Sequence, residues 1–130
     1  MNIPDIAPLG TATQSTDWPG QPASYALDGN LGNFTHTNVP DASPFWQVNL
    51  GGEYTIENIT LYNRGDGCCP ERLRDITVQV LDAPGGAVAW ESELLNPENV
   101  LGGGKLDVGP DRFVLDLVEL TGAPVRGGVV

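Results

Sequence analysis

The residues able to do chemistry in this sequence crowd into one stretch, Asn63-Arg64-Gly65-Asp66-Gly67-Cys68-Cys69-Pro70-Glu71-Arg72-Leu73-Arg74. The chain carries 6 basic and 17 acidic residues, for a net charge of -11, and Arg64, Arg72 and Arg74 all fall here. Arginine presents a planar fork of N–H donors that suits paired oxygen acceptors, including vicinal hydroxyls and ring oxygens. Asp66 stands close enough in sequence to hold the Arg64 guanidinium in place. The plainer reading is a salt-bridged cluster at a strand end that only shapes its own loop. Cys68 and Cys69 are the only cysteines. Adjacent Cα atoms lie about 3.8 Å apart, closer than the roughly 4.4–6.8 Å of ordinary disulfides. A bridge between them would close a small ring with a flat, apolar, polarizable face, able to stack on the apolar patch of a sugar. Two independent thiols, or a redox pair, are the alternatives. A redox role needs an exposed low-pKa thiolate, which Asp66 and Glu71 beside the pair disfavour.

Two further groups stand upstream. His36, the single histidine, lies in the polar run Asn33-Phe34-Thr35-His36-Thr37-Asn38. A neutral imidazole there can donate to or accept from a hydroxyl. One histidine and two adjacent cysteines make no zinc spacing. Asp28 and Asn30, in Tyr25-Ala26-Leu27-Asp28-Gly29-Asn30, offer oxygens of the kind calcium takes. The same residues make an Asx-turn unaided. Arg64-Gly65-Asp66 also spells the integrin tripeptide, a three-residue match that chance supplies often.

Short strands must position these loops. The chain has 17 glycines and 11 prolines in 130 residues, a surplus that disfavours a helical bundle. Alternating or β-branched runs predict strands over Phe45–Leu50, closing at Gly51-Gly52, and over Tyr54–Tyr62, Asp75–Leu81, Ala87–Trp90 and Arg112–Leu117. Val125–Val130 reads as one more, interrupted by Gly127-Gly128, and Glu91–Val100 as one helical turn near Pro97. The first 45 residues are mostly irregular. This pattern predicts one all-β domain over residues 1–130, an antiparallel sandwich. Because the chain stops inside a strand, the sandwich is expected to lack its last strand. No apolar stretch approaches the roughly 20 residues that span a bilayer. Met1–Leu9 lacks the basic and apolar regions of a signal peptide. The negative charge disfavours nucleic acid and anionic membrane surfaces as partners.

The segments Ala12-Thr13-Gln14-Ser15, Ala26-Leu27-Asp28-Gly29-Asn30, Thr35-His36-Thr37, Phe45-Trp46-Gln47-Val48-Asn49-Leu50-Gly51 and Tyr62-Asn63-Arg64-Gly65-Asp66, with Cys68-Cys69-Pro70-Glu71-Arg72-Leu73, together resemble the F-type lectins. These are the fucose-binding branch of the discoidin-like, jelly-roll β-sandwiches. The family motif is a histidine, a gap of about two dozen residues, Arg-x-Asp, four residues and a basic residue. Here residues 37–63 fill the gap, and residues 67–71 stand where the family has four, one more. Gly67 is the expected insertion, since glycine absorbs an extra residue without strain.

The resemblance implies a non-catalytic module that binds terminal α-L-fucose, or a similarly configured sugar, on fucosylated glycans. By the same resemblance His36, Arg64 and Arg72 bind ring and hydroxyl oxygens, and Asp66 supports the arginines. A Cys68–Cys69 disulfide packs on the sugar ring, and Phe34 contacts the fucose methyl. Asp28 and Asn30 would ligate a structural calcium ion, though only residues 31–35 separate Asn30 from His36, a shorter loop than the family has. An extracellular or cell-surface place is implied, as an oligomer or as part of a larger multidomain protein. The alternative function is a discoidin-type protein-binding adhesion domain without sugar specificity. An enzyme is disfavoured, because no loop presents the facing carboxylate pair that a glycosidase needs.

Overall fold

Strand-forming residues in short alternating runs produce the framework, and the computed structural model describes it over residues 5–130. Residues 1–4 of the Met1–Leu9 stretch lie outside the described residues. Strand β1 (Thr11–Gln14) is followed by β2 (Trp46–Ile56), β3 (Asn58–Tyr62), β4 (Gln79–Leu81), β5 (Val88–Glu91), β6 (Arg112–Asp116) and β7 (Val125–Val129), with helix α1 (Leu117–Thr121) between β6 and β7. One antiparallel sheet has the order β1-β2-β7-β4-β5, and a second pairs β3 with β6. Between them lies one buried cluster, including Val48, Leu50 and Ile56 of β2, Ile59 of β3, Val80 of β4, Leu115 of β6 and Leu117. Alternation decides which residues enter it: Ile59 and Leu115 are buried while Thr60 and Val114 face out. The architecture is the antiparallel, discoidin-like β-sandwich class read from the sequence.

Several boundaries differ from the sequence reading. Gly51-Gly52 does not end a strand. β2 continues through to Ile56, with Gly51 at φ 78° and a register shift between Asn49 and Tyr54. A bulge of this kind turns a strand without ending it. The run Asp75–Leu81 is strand only over Gln79–Leu81. Asp75 takes a left-handed φ of 52°, Ile76 pairs only with Leu95, and the Ser92 hydroxyl accepts the Val78 N–H. Side-chain and bend chemistry thus override the alternation there. The turn expected within Glu91–Val100 is a 3-10 segment over Pro97–Gly102, kinked at Glu98 and Asn99. Helix α1 has no strong periodic signal. It is set by its ends, with the Asp116 carboxylate accepting the Glu119 N–H and Gly122 closing it at φ 88°.

Gly127-Gly128 proves not to be an interruption. β7 lies in the middle of the sheet, between β2 and β4. A Cβ on Gly127 would stand 2.5 Å from Val80 Cγ1 and 2.8 Å from the Leu81 carbonyl oxygen. Close packing of neighbouring strands therefore requires glycine at that position.

Three loops project from one end of this framework: residues 15–45 after β1, 63–78 after β3 and 97–111 before β6. Asn63 fastens two of them, its amide donating to the carbonyls of Pro70 (2.8 Å) and Pro110 (2.7 Å) while its N–H donates to the Asp111 carbonyl. Gly65 fastens the third. A Cβ there would lie 2.1 Å from the Leu31 carbonyl oxygen, so the loops meet backbone to backbone.

Candidate functional site

Arg64 leaves the end of β3 and turns back on its own loop. Its Nε and Nη2 donate to the two carboxylate oxygens of Asp66 at 2.8 and 2.9 Å. This fork-to-fork pairing is the strong form of the arginine–carboxylate contact. The guanidinium holds the Asp66 carboxyl below the ordinary carboxylate range, and the carboxylate in turn raises Arg64. Asp66 Oδ1 also accepts the Cys68 N–H at 3.2 Å, which fastens the start of the cysteine pair. The two sulfurs are joined as a vicinal disulfide, so they are not independent thiols.

The Arg64 guanidinium also lies 3.7 Å from the centroid of the Phe34 ring. A cation over an aromatic face is attracted by the ring quadrupole. Phe34 therefore spends one face on positioning Arg64. Its edge approaches His36, with ring centroids 6.4 Å apart.

His36 is fixed in a defined tautomer by its neighbours. Nδ1 contacts the Thr37 carbonyl, which can only accept, so Nδ1 carries the proton. Nε2 is then the lone-pair side, and it faces Arg72 Nη1 at 3.5 Å. Arginine can only donate, so the two assignments agree. Gly67 takes φ 84° with open space around its missing Cβ. Cys69, also left-handed at φ 66°, starts the 3-10 turn Pro70–Arg72 that delivers Arg72. Arg64, Phe34, His36 and Arg72 thus form one continuous group across two loops.

Two neighbours of this group were not found from the sequence. Trp18, 44% exposed, donates its N–H to the His36 carbonyl at 2.9 Å, and its ring centroid lies 5.3 Å from the imidazole. Gln14 Nε2 reaches Asp17 Oδ1, the Gln21 carbonyl and the His36 carbonyl at 2.6, 3.0 and 3.3 Å. Both reach His36 across some twenty residues, and no local spacing announces such contacts.

Asp28 and Asn30 stand apart from that group in function. Asp28 accepts the Asn30 N–H at 2.8 Å on one oxygen and the Asn33 amide at 2.6 Å on the other. Asn30 Oδ1 accepts the Gly32 N–H at 2.9 Å. Every oxygen these side chains offer thus faces an N–H of the same loop. Among the described residues no group of three His, Cys, Asp or Glu surrounds them. Calcium takes six to eight oxygens, many of them backbone carbonyls, and these two side chains would supply only part of such a shell. The Asx-turn is what the two residues build.

Similarities to known proteins fall on the same segments. The F5/F8 type C family described as NedA-like, galactose-binding domain matches residues 25–96. Fucolectin-6 of Anguilla japonica is 44% identical over 80 residues, which is 53% of this chain and 42% of that protein. The fucolectin of Anguilla anguilla is 38% identical over 87 residues, 58% of this chain and 54% of its own length. The chain spans about half the length of the curated relatives it matches. Among solved structures, the lectin domain of lectinolysin complexed with Lewis B antigen superposes with a TM-score of 0.72 at 25% identity, covering 100% of this chain and 92% of that one. The F-lectin (fucolectin) from the serum of Morone saxatilis, striped bass, gives 0.71 at 25% identity, covering 99% of this chain and 42% of that one.

Proposed function

From the premise that this chain belongs to the NedA-like, galactose-binding domain family, we propose that it is a non-catalytic carbohydrate-binding module for terminal α-L-fucose, or a sugar of similar hydroxyl arrangement, on glycans. The observation that carries this reading is the run of contacts from Arg64 over Phe34 to His36 and on to Arg72. It sets two fixed groups of N–H donors around one imidazole lone pair. A pair of neighbouring hydroxyls, each both donor and acceptor, matches that pattern. Arg64 and Arg72 donate to ring and hydroxyl oxygens, and a hydroxyl that takes the place of Arg72 Nη1 donates to Nε2 of His36. The vicinal disulfide offers the apolar face of the sugar a flat partner, and the half-exposed ring of Trp18 adds a second apolar wall. Phe34 acts chiefly by holding Arg64, with its edge left for the fucose methyl.

The lectinolysin domain was solved with the Lewis B antigen bound, and the curated relatives carry the name fucolectin. Those facts support the choice of fucosylated glycans as partners and an extracellular place of action. The Arg64-Gly65-Asp66 tripeptide gives no adhesion reading, because its arginine and aspartate are paired with each other. A single shallow site gives modest affinity, so strong binding to cells calls for several copies, in an oligomer or in a longer multidomain chain.

The test is calorimetric titration with methyl α-L-fucoside and a glycan array. The parent protein binds fucosylated glycans selectively. Arg64→Ala loses at least about tenfold in affinity, some 1.4 kcal/mol, while its circular dichroism spectrum stays that of the parent. Reduction with dithiothreitol weakens binding. A protein that ignores fucosylated glycans, or an Arg64→Ala variant that binds as the parent does, overturns the reading.

A further inference from the structure

We propose that a cleft beside Arg64 is a second subsite, which takes a neutral sugar unit of the same glycan whose terminal sugar sits on the Arg64–His36–Arg72 group; it rests on the reading given above. The cleft measures about 380 Å³ and is lined by Leu31, Tyr62, Arg64, Gly65, Asp111 and Arg112, among others. That size falls at the lower end of small-molecule sites, roughly 300–1,000 Å³.

Its position follows from the fold. Tyr62 and Arg112 are directly paired across β3 and β6, at the end of the sheet from which the loops project. Partners facing each other across an antiparallel pair project to the same side, and both are exposed, Tyr62 by 55%. They share the outer face of β3–β6, opposite Leu61, which packs against the core, and its partner Phe113. The floor is rigid, because Asn63 spends its amide on the Pro70 and Pro110 carbonyls and Gly65 abuts the Leu31 carbonyl. Arg64 and Gly65 belong to both the cleft and the loop of the first site, so the two are contiguous. A ligand in the cleft is therefore placed to be the next unit of the bound chain.

The chemistry of the lining selects a polyol over an ion. Among the described residues the ion pairs are made by Arg64, Arg74 and Arg126, so Arg112 keeps its N–H donors free. Asp111 next to it is likewise outside those pairs and supplies acceptors. Their charges cancel, and Asp66 already balances Arg64, so the cleft presents no net field to an anion. An exposed aromatic face with a planar donor and a carboxylate acceptor beside it is suited to the C–H face and hydroxyl edge of a neutral hexose.

The experiment titrates the parent, Tyr62→Ala and Arg112→Ala with two ligands, methyl α-L-fucoside and a neutral fucosylated tetrasaccharide. The parent is expected to bind the tetrasaccharide at least about tenfold more tightly than the fucoside. Each variant should lose about fivefold or more of tetrasaccharide affinity and keep its fucoside affinity within about twofold. The unchanged fucoside affinity also shows that the variants fold. Equal parent affinity for the two ligands overturns the subsite, as does a variant that weakens both ligands alike. Tighter binding of an acidic or sulfated glycan than of the neutral one overturns the neutral assignment. A parent that binds neither ligand overturns the first reading and this one together, and is told apart by the fucoside arm alone.

Discussion

Arg64 carries two relationships at once, a two-pronged bond to Asp66 and a cation–aromatic contact with Phe34, whose ring lies 6.4 Å from that of His36. The spacing of Arg64 and Asp66 was legible in the sequence, because a pairing two residues apart is local chemistry. The service of Phe34 to Arg64 was not, since it joins two loops through space, and the family resemblance implies only a contact of that ring with the fucose methyl. The same holds for Gln14 and Trp18, which reach His36 from the far side of an irregular segment. Asp66 is the residue to change in order to weigh this arrangement. Asp66→Asn keeps the size and one acceptor but removes the charge and one prong of the fork. The Arg64 guanidinium is then free to swing, and an unfixed donor loses rotamer freedom on every binding event. Affinity for methyl α-L-fucoside should fall about tenfold with the melting temperature little changed, as read by calorimetry and a thermal scan. Affinity equal to that of the parent would reduce Asp66 to a loop-shaping residue.

At the scale of elements, β6 was read well, where alternation meets a buried face, while Tyr54–Tyr62 was read as one strand although β2 ends at Ile56 and β3 begins at Asn58. Strand positions were misread where backbone chemistry intervenes, as at the Gly51 bulge and at the left-handed Asp75. Gly127 shows the limit most clearly, since glycine there answers to the packing of β4 against β7, a contact between strands more than forty residues apart. The loop over residues 28–33 poses the element-scale question of whether an ion or its own hydrogen bonds hold it. Asp28 accepts from Asn30 and Asn33, and Asn30 from Gly32, so three hydrogen bonds close the loop on itself. The Asn33 amide, ahead of the Asn30 N–H, holds the Asp28 carboxyl below its ordinary value. This loop abuts Gly65 through Leu31, so its order reaches the Arg64 loop. If these hydrogen bonds alone hold the loop, excess EDTA leaves the melting temperature within about 1 °C. Asp28→Ala should lower it by several degrees, through loss of two hydrogen bonds of about 1 kcal/mol each. A fall on EDTA that calcium reverses would place an ion in the loop and return Asp28 and Asn30 to ligand roles.

For the molecule as a whole, the net charge of -11 acts in two directions as pH changes. At neutral pH the carboxylates repel one another, and that self-repulsion eases as they begin to protonate. Four of them work the other way. Asp66 is held down by Arg64, Asp28 by the Asn33 amide, Asp41 by the Ser15 hydroxyl and Asp75 by the Glu98 N–H, each below the ordinary carboxylate range. A carboxyl whose folded pKa is depressed adds stability above its unfolded pKa, about 3.9. That contribution is lost as pH falls through the lower, folded value. All four lie in the long loops, and Asp41 also binds Thr16 and the Ser43 N–H, so it ties down the segment that carries His36. The melting temperature should therefore hold or rise from pH 7 to about 4.5 and drop steeply below about 4, where these contacts are protonated away. Scanning calorimetry across pH 3–7 measures the curve, and Asp41→Asn, which cannot titrate, should flatten its acid limb. A melting temperature that declines steadily from pH 7 to 5 would mean that self-repulsion is negligible, and that charge this one-sided is borne by the fold without cost.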